Sequence, residues 1–148
     1  MATDKVEREI VISAPRERVW AVLTEPGHVA RWFGDLVEID LRPGGRAVFG
    51  WTEYGSHEAR IERVEPPGFF SYRWAHHAGD PVAGGTSTLV EFTLEQAGSG
   101  TRLRVVETGF ATLAGSEADR STAVEENTTG WRNELDELKE YAQRAAAC

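Results

Sequence analysis

The spacing of apolar residues divides the sequence into three regions, and the first region predicts one strand followed by two short helices. Val6, Ile10 and Ile12 fall at even spacing in the Lys5–Ile12 segment, which is the period of a half-buried strand. Pro15 follows, and the apolar residues between Arg16 and Leu23 then fall on one helical face. Proline suits the first turn of a helix, because its missing N–H has no partner to lose there. Pro26 repeats this signal, so we predict a second helix that ends in the Arg31–Gly34 segment.

In the second region the period changes to two, which predicts an antiparallel meander with one wet face and one buried face. Clusters of glycine and proline at Pro43–Gly45, Pro66–Gly68 and Gly98–Gly100 mark the turns. The Ala75–Gly85 segment holds three glycines and a proline, so we predict a long mobile loop there. The apolar positions that alternate along the strands are Val37, Ile39, Leu41, Ala47, Phe49, Trp51, Ile61, Val64, Phe70, Tyr72, Trp74, Val90, Phe92, Leu94, Leu103 and Val105.

The third region carries one stripe of residues at helical spacing. A capping box at Thr122 and Glu125 predicts a helix that begins there and continues to Ala145, roughly 35 Å long. Gly130 within it costs about 1 kcal/mol relative to alanine, so a start near Thr129 is a second possibility. The stripe comprises Val124, Thr128, Trp131, Leu135, Leu138 and Ala142, and the opposite, solvent-facing side comprises Glu134, Asp136, Glu137, Lys139 and Glu140.

This order of elements predicts an α+β helix-grip fold, in which a curved antiparallel sheet wraps around a long C-terminal helix. The two short helices after the first strand fill the open end. We expect residues 1–148 to form a single domain, since 148 residues suit one core and no repeat or linker interrupts the pattern. A sheet wrapped around one helix closes its core less tightly than a sandwich, so we also predict a cavity between sheet and helix.

Composition and charge exclude several classes of protein. With 16 basic and 24 acidic residues the formal charge is −8, and no basic cluster suggests a nucleic-acid partner. The single cysteine, Cys148, excludes a disulfide framework and a cysteine-based zinc cluster. No apolar run approaches the roughly 20 residues that span a membrane, so we expect no membrane insertion. The charged start, MATDKVEREI, lacks a signal-peptide core, and we therefore expect a cytoplasmic protein.

Several short motifs, in order along nearly the whole chain, resemble those of the activator of heat-shock-protein-90 ATPase homologue-like family. That family belongs to the START-like, birch-pollen-allergen-like (SRPBCC) superfamily of helix-grip proteins. The motifs are Ile12-Ser-Ala-Pro15, Val19-Trp20, Thr24-Glu-Pro26, Arg31-Trp32-Phe33-Gly34, Pro43-Gly-Gly45, Arg63-Val-Glu-Pro-Pro67, Tyr72-Arg-Trp74, Gly100-Thr-Arg-Leu103, Gly109-Phe110 and Gly130-Trp131 with Leu135 and Leu138.

The resemblance implies a helix-grip fold with an internal cavity. It does not choose a function, because the superfamily includes lipid and hormone binders as well as polyketide cyclases and aromatases. Our main hypothesis is a module that binds an apolar small molecule, such as a lipid, an aromatic compound or a polyketide-like compound. We expect this ligand to enter between the Ala75–Gly85 loop and the short helices.

The aromatic residues are the first candidates for a binding site. If Trp74 points inward, strand alternation turns Phe70, Tyr72 and His76 inward as well. Such rings suit a flat or aliphatic ligand, although they would equally serve to fill the core. The ligand-binding residues that we predict are Trp32, Phe49, Trp51, Ile61, Phe70, Tyr72, Trp74, His76, Val90, Phe92, Glu107, Trp131 and Leu135.

Glu107 is a candidate residue with an ionisable side chain that could take part in a reaction or bind a polar group of a ligand. Leu103 and Val105 face inward, so unbroken alternation sends Glu107 inward too, where it would act as an acid, a base or a polar anchor. The interpretation we favour is that the strand ends before Thr108-Gly109, which leaves Glu107 in water at the rim.

Metal and nucleophilic sites have little support. His57, His76 and His77 do not have the convergent spacing of a zinc site, even with Asp80 as a further ligand, so we predict no metal and no cofactor. Cys148 has no activating base, and the serines lie in no nucleophile-elbow pattern. We therefore assign no catalytic residue.

Two alternatives to the binding hypothesis stay open. One is an enzyme of the polyketide cyclase or hydrolase kind, in which Glu107 acts with Tyr72, His57 or His76 in acid–base roles. The other is a stress-response module that interacts with a chaperone through the charged outer face of the sheet, where Arg73, Glu91, Arg102 and Arg104 lie. The chain is expected to be a monomer or a homodimer.

Overall fold

A computed structural model describes residues 4–147, so Cys148 lies outside the described part of the chain. The described residues form seven strands, three α-helices and one 3₁₀ turn. In chain order they are β1 (Lys5–Ile12), α1 (Arg16–Thr24), α2 (Pro26–Val29), β2 (Leu36–Ile39), β3 (Arg46–Trp51), β4 (Gly55–Glu65), β5 (Phe69–Ala75), β6 (Ser87–Ala97), β7 (Gly100–Thr108), the 3₁₀ turn Phe110–Thr112 and α3 (Glu117–Ala147).

All seven strands form one antiparallel sheet in the order β1-β7-β6-β5-β4-β3-β2. The hairpins from β2 to β7 pair as a meander, and β1 returns to pair with β7, which places Ile10 opposite Leu103. A register shift in β4 between Ile61 and Arg63 bends that strand, as a bulge does. The predicted helix-grip class is confirmed, because this single sheet curves around the long helix α3.

Helix α3 buries four of the six residues of the predicted stripe, whereas Val124 is half-buried and Thr128 is exposed. Trp131, Leu135, Leu138 and Ala142 are all at most 3% exposed and belong to the same core as the inward residues of the strands. This spacing of three and four residues keeps the four side chains on one face, since a helix turns once in about 3.6 residues.

The start of α3 differs from the prediction. The helix begins at Glu117, and neither Thr122 nor Thr129 marks its beginning. Ser116 provides the cap: its hydroxyl accepts a hydrogen bond from the Asp119 N–H over 3.1 Å, and the Asp119 carboxylate accepts one from the Ser116 N–H over 2.9 Å. This reciprocal pair is a capping box six residues earlier than the one we predicted, and Gly130 lies inside an unbroken helix.

Helix α2 is shorter than predicted, and this matters for the site. It ends at Val29, and the chain then turns twice, so that Trp32 and Phe33 lie outside any helix. The Trp32 indole N–H donates to the Val22 carbonyl over 2.9 Å, which fixes the segment against α1. Gly34 follows with a φ of +81°, and this left-handed backbone lets Phe33 turn inward over the sheet.

Candidate ligand-binding cavity beneath helix α3

A cavity of about 140 Å³ lies between helix α3 and the ends of strands β3 and β5. Its lining is mainly aromatic, and most of the lining residues are half-buried rather than fully buried, so the cavity reaches the surface. An engineered cavity of about 150 Å³ in another protein holds one benzene ring, so the volume here matches one ring. The lining residues are Phe33, Trp51, Trp74, Asn127, Gly130, Trp131 and Glu134.

Phe33 is the centre of the aromatic wall. Its ring centroid lies 5.2 Å from that of Trp51, 5.8 Å from that of Trp74 and 5.7 Å from that of Trp131. The planes of Phe33 and Trp131 are inclined by only 10°, whereas Trp51 meets Phe33 edge to face at 78°. At these separations aromatic rings attract one another in addition to the gain from burying their apolar area. The rings therefore hold one another in fixed positions around the cavity.

Helix α3 supplies the other wall through a second stripe of residues beside the apolar one. Asn127, Gly130, Trp131 and Glu134 lie at i, i+3, i+4 and i+7, which places them on one face. At Gly130 an added Cβ atom would meet no atom within 4 Å. The helix backbone is therefore open to the cavity at this position.

Glu107 lies beneath this wall, fully buried, and the prediction that it sits in water at the rim is wrong. Strand β7 continues through Thr108, so alternation carries the Glu107 side chain to the inner face. Its Oε1 accepts hydrogen bonds from Asn127 Nδ2 at 2.9 Å and Trp131 Nε1 at 2.8 Å. Its Oε2 accepts from Trp74 Nε1 at 3.0 Å and Thr88 Oγ1 at 2.5 Å.

These four donors explain how the carboxylate is accommodated in the core. Each oxygen accepts two hydrogen bonds, so neither oxygen of this buried side chain is left without a partner. Three of the donors belong to residues that line the cavity, namely Trp74, Asn127 and Trp131. Glu107 does not line the cavity itself, but its hydrogen bonds fix the orientation of these three lining side chains. Burial raises the pKa of Tyr72 well above its usual value, and the nearby Glu107 raises that pKa further.

Glu134 differs from Glu107, because it lines the cavity, is only half-buried and has an oxygen without a hydrogen-bond partner among residues 4–147. Its Oε2 atom is buried and accepts no hydrogen bond from the residues that the structure describes. Burial raises the pKa of this carboxyl to about 7, and the charge of Glu137 one turn further on adds to the effect. The sequence pattern assigned Glu134 to the solvent-facing side of the helix, and the structure corrects that assignment.

The predicted binding residues fall into three groups. Trp51, Trp74 and Trp131 line the cavity, and Glu107 holds two of them in place. The others, apart from His76, are at most 4% exposed and fill the core. They are Trp32, Phe49, Ile61, Phe70, Tyr72, Val90, Phe92 and Leu135.

His76 is not on the wall of this cavity. Strand β5 ends at Ala75, and His76 instead lines a second, more polar cavity of about 100 Å³ with His77, Asp80 and Arg120. Burial lowers the pKa of His76, and the neighbouring His77 lowers it further. The predicted loop between β5 and β6 borders this second cavity, and no residue of the loop lines the first one. The prediction that a ligand enters the first cavity beside this loop is therefore not supported.

Four residues of the site were not predicted. Phe33 lies in the Arg31–Gly34 segment, where the sequence pattern predicts the end of a helix and no part of a binding site. Asn127, Gly130 and Glu134 are polar or small, and a search for apolar residues passes over them. Their spacing from Trp131 was the available signal, since residues three and four positions away share its side of the helix.

Between residues 4 and 147 no three His, Cys, Asp or Glu side chains are grouped so that they would hold a metal ion. In the same range no helix is both long enough and apolar enough to cross a membrane.

A curved sheet, a long C-terminal helix and a cavity between them define the helix-grip class of proteins. Residues 13–143 match the family described as Activator of Hsp90 ATPase homolog 1-like protein, and the chain therefore belongs to that family. The resemblance inferred from the sequence motifs is thus confirmed. No protein in the curated set matches this sequence.

Solved structures similar to this chain support the same fold. Protein MLL2253 from Mesorhizobium loti is 26% identical with a TM-score of 0.78, and the match covers 95% of this chain and 97% of that one. CalU16 from Micromonospora echinospora is 28% identical with a TM-score of 0.70, over 93% of this chain and 75% of that one. Aha1 from Colwellia psychrerythraea, described as a dimer, has a TM-score of 0.76 over 95% and 97% of the two chains, and its 17% identity shows the fold alone.

Proposed function

We propose that this protein binds a small, mainly apolar molecule and places one ring or a similarly compact group in the cavity beneath α3. The observation that carries the proposal is the aromatic wall of Trp51, Trp74, Trp131 and Phe33 around a space of about 140 Å³. Small-molecule sites are concave and mostly apolar, with a few placed polar groups, and this arrangement fits that description.

The volume narrows the classes of ligand that we predicted. A space for one ring suits an aromatic compound or one end of a polyketide-like compound better than a whole lipid chain. Burial of about 150 Å² at about 25 cal/mol per Å² gives roughly 4 kcal/mol before the cost of association. A ligand bound tightly must therefore make further contacts, for which the polar lining residues Asn127 and Glu134 are available.

The hydrogen bonds to Glu107 support binding by a preformed wall. They hold the indole rings of Trp74 and Trp131 in fixed orientations, so a ligand would meet side chains that need little reordering. Preorganisation of this kind improves affinity because less side-chain entropy is lost on binding.

The experiment is a titration of the full-length protein with toluene and with benzyl alcohol, followed by two-dimensional NMR. We expect shifts confined to the indole N–H signals of Trp51, Trp74 and Trp131 and to the amide of Gly130. Gly130→Leu should fill the cavity and abolish these shifts. Tyr54→Ala, at an exposed site that does not line the cavity, should leave them unchanged.

Two results would contradict the proposal. One is the absence of any saturable shift up to the solubility of the probes. The other is saturable binding of equal affinity in Gly130→Leu and the natural protein, which would place the binding elsewhere.

The enzymatic and chaperone hypotheses stay predictions. As an acid or base, Glu107 would need an oxygen free to exchange a proton with a substrate, yet both of its oxygens already accept two hydrogen bonds. On the outer face, Arg102 and Arg104 lie close to Glu9 and Glu7 of β1, which is the ordinary arrangement of a solvated surface.

A further inference from the structure

We propose that the ligand of this cavity carries an ammonium group, which binds Glu134 while the attached ring lies among the tryptophans. The inference rests on the proposed function and adds the chemical class of the ligand. It concerns a primary or alkylated amine on a single ring or a similarly compact apolar group.

The first argument is the unpartnered oxygen of Glu134. Oε2 is buried, and among residues 4–147 no donor lies within hydrogen-bonding distance of it. A buried acceptor without a partner is costly, and a ligand that brings an N–H group removes that cost. Glu134 belongs to the lining of the cavity, so a ligand with its ring inside lies beside this side chain, and rotation of the carboxyl would bring Oε2 to the N–H group of the ligand.

The second argument is the charge of the lining. None of the seven lining residues is basic, and Glu134 is the one that carries an ionisable group. The faces of tryptophan rings attract cations, and three tryptophans line this space. Glu137 adds negative charge one turn along the helix, and the whole chain has a formal charge of −8. A carboxylate or phosphate ligand would be repelled by the same groups.

The third argument is a proton linked to binding. The pKa of Glu134 is about 7, so near neutral pH the carboxyl is partly protonated. A bound ammonium favours the ionised carboxylate, so binding near pH 7 releases protons and affinity rises as the pH rises.

Other titratable groups contact the walls of the cavity and are considered in the experiment. Glu137 acts on Glu134 from the same helix. Glu107 of β7 is bonded to Trp74, Asn127 and Trp131. His57 of β4 contacts the rings of Trp51 and Trp74, at 5.9 Å and 5.7 Å between centroids. The Glu134→Gln variant keeps Glu137, Glu107 and His57. A pH effect on binding that disappears in this variant therefore comes from Glu134 and not from these three groups.

The experiment compares benzylamine with benzyl alcohol, which has a similar size and no charge, by calorimetric titration of the full-length chain. The titrations are made at about pH 5.5 and about pH 8.5 on the natural protein, Glu134→Gln and the control Glu137→Gln. We expect benzylamine to bind about tenfold more tightly than benzyl alcohol at the higher pH, and the preference to shrink at the lower pH. The preference should disappear in Glu134→Gln and persist in Glu137→Gln.

A second measurement needs no variant. Titration of benzylamine at about pH 7 in two buffers of different ionisation enthalpy measures the protons released, and we expect a release of about half a proton per ligand. Equal affinity for both probes at the higher pH, or a preference for benzylamine that survives in Glu134→Gln, would overturn the ammonium inference and leave the proposed function intact. Failure of both probes to bind would instead overturn the proposed function on which it rests.

Discussion

Trp131 of helix α3 donates its indole hydrogen to Glu107 of strand β7 over 2.8 Å, in the middle of the core. The same carboxylate accepts the indole hydrogen of Trp74 on its other oxygen, so one residue joins the helix to the sheet and sets two walls of the cavity. Stability and the shape of the site therefore depend on the same group.

This arrangement predicts that Glu107→Gln destabilises the fold although the two side chains have nearly the same shape. A carboxamide has one acceptor oxygen and one N–H₂ group, so the N–H₂ group faces two of the four donors and leaves them unsatisfied. We expect the free energy of unfolding to fall by about 2–3 kcal/mol. Urea denaturation followed by tryptophan fluorescence measures this change.

Glu95→Gln is the matched control for that substitution. Glu95 is exposed on β6 and lies 3.9 Å from Arg102, so its loss should change the stability by less than about 0.5 kcal/mol. Equal effects of the two substitutions would show that the four hydrogen bonds to Glu107 contribute no net stability.

Gly130→Ala should stabilise the protein and weaken binding at the same time. Alanine is favoured over glycine inside a helix by about 1 kcal/mol, and the added Cβ meets no atom within 4 Å. We expect the Tm to rise by about 2–4 °C and the affinity for benzyl alcohol to fall. Differential scanning calorimetry and the NMR titration test the two effects separately, and a lower Tm would contradict the open geometry at this position.

The sequence pattern predicts elements whose apolar period is uninterrupted. Strand β1 has the predicted bounds of Lys5 and Ile12, and the stripe through Trp131 and Leu138 is buried as expected. The start of α3 was missed because its cap, Ser116, lies in a polar stretch with no apolar periodicity to point to it.

The site was harder to predict than the fold, because its chemistry depends on residues brought together from separate elements. Alternation turns Glu107 inward, but whether a carboxylate tolerates that position depends on donors from β5, β6 and α3. Nothing local to Glu107 in the sequence indicates those donors. The half-burial of Glu134 likewise depends on Phe33 and Trp51, which line the same cavity but come from distant parts of the sequence.

Gly34 is predicted to be required for the position of Phe33. An added Cβ would lie 2.5 Å from the Gly50 carbonyl oxygen, and the φ of +81° is unfavourable for alanine. We expect Gly34→Ala to destabilise the fold by about 1–3 kcal/mol and to alter the NMR signals of Trp51 and Trp131.

Gly44→Ala distinguishes the cost of the left-handed backbone from the cost of the close contact with Gly50, which together destabilise Gly34→Ala. Gly44 has the same φ of +81°, but an added Cβ there meets no atom within 4 Å. Its substitution should therefore cost only the backbone term, about 1 kcal/mol, and leave the tryptophan signals unchanged. If both variants lose the same stability, the close approach of Gly34 to Gly50 has no energetic role.

The last prediction concerns the pH dependence of stability that Glu134 introduces. Its pKa is raised from 4.5 to about 7 in the folded protein, because burial and, to a lesser degree, the charge of Glu137 disfavour the carboxylate. The folded state then binds this proton more tightly than the unfolded state. The resulting stabilisation is complete below about pH 4.5 and is lost as the pH rises to about 7.

Glu134→Gln cannot lose this proton, so it should approach the natural protein in stability at about pH 4.5 and exceed it above about pH 7. Solvent screening of a half-exposed side chain limits the difference to about 1–2 kcal/mol. Urea denaturation at a series of pH values measures it, and Glu137→Gln should show a smaller gain because it removes only the secondary cause. A difference between Glu134→Gln and the natural protein that does not change with pH would mean that the carboxyl is solvated as an ordinary surface group, and the cavity would then lack the polar anchor that we assign to it.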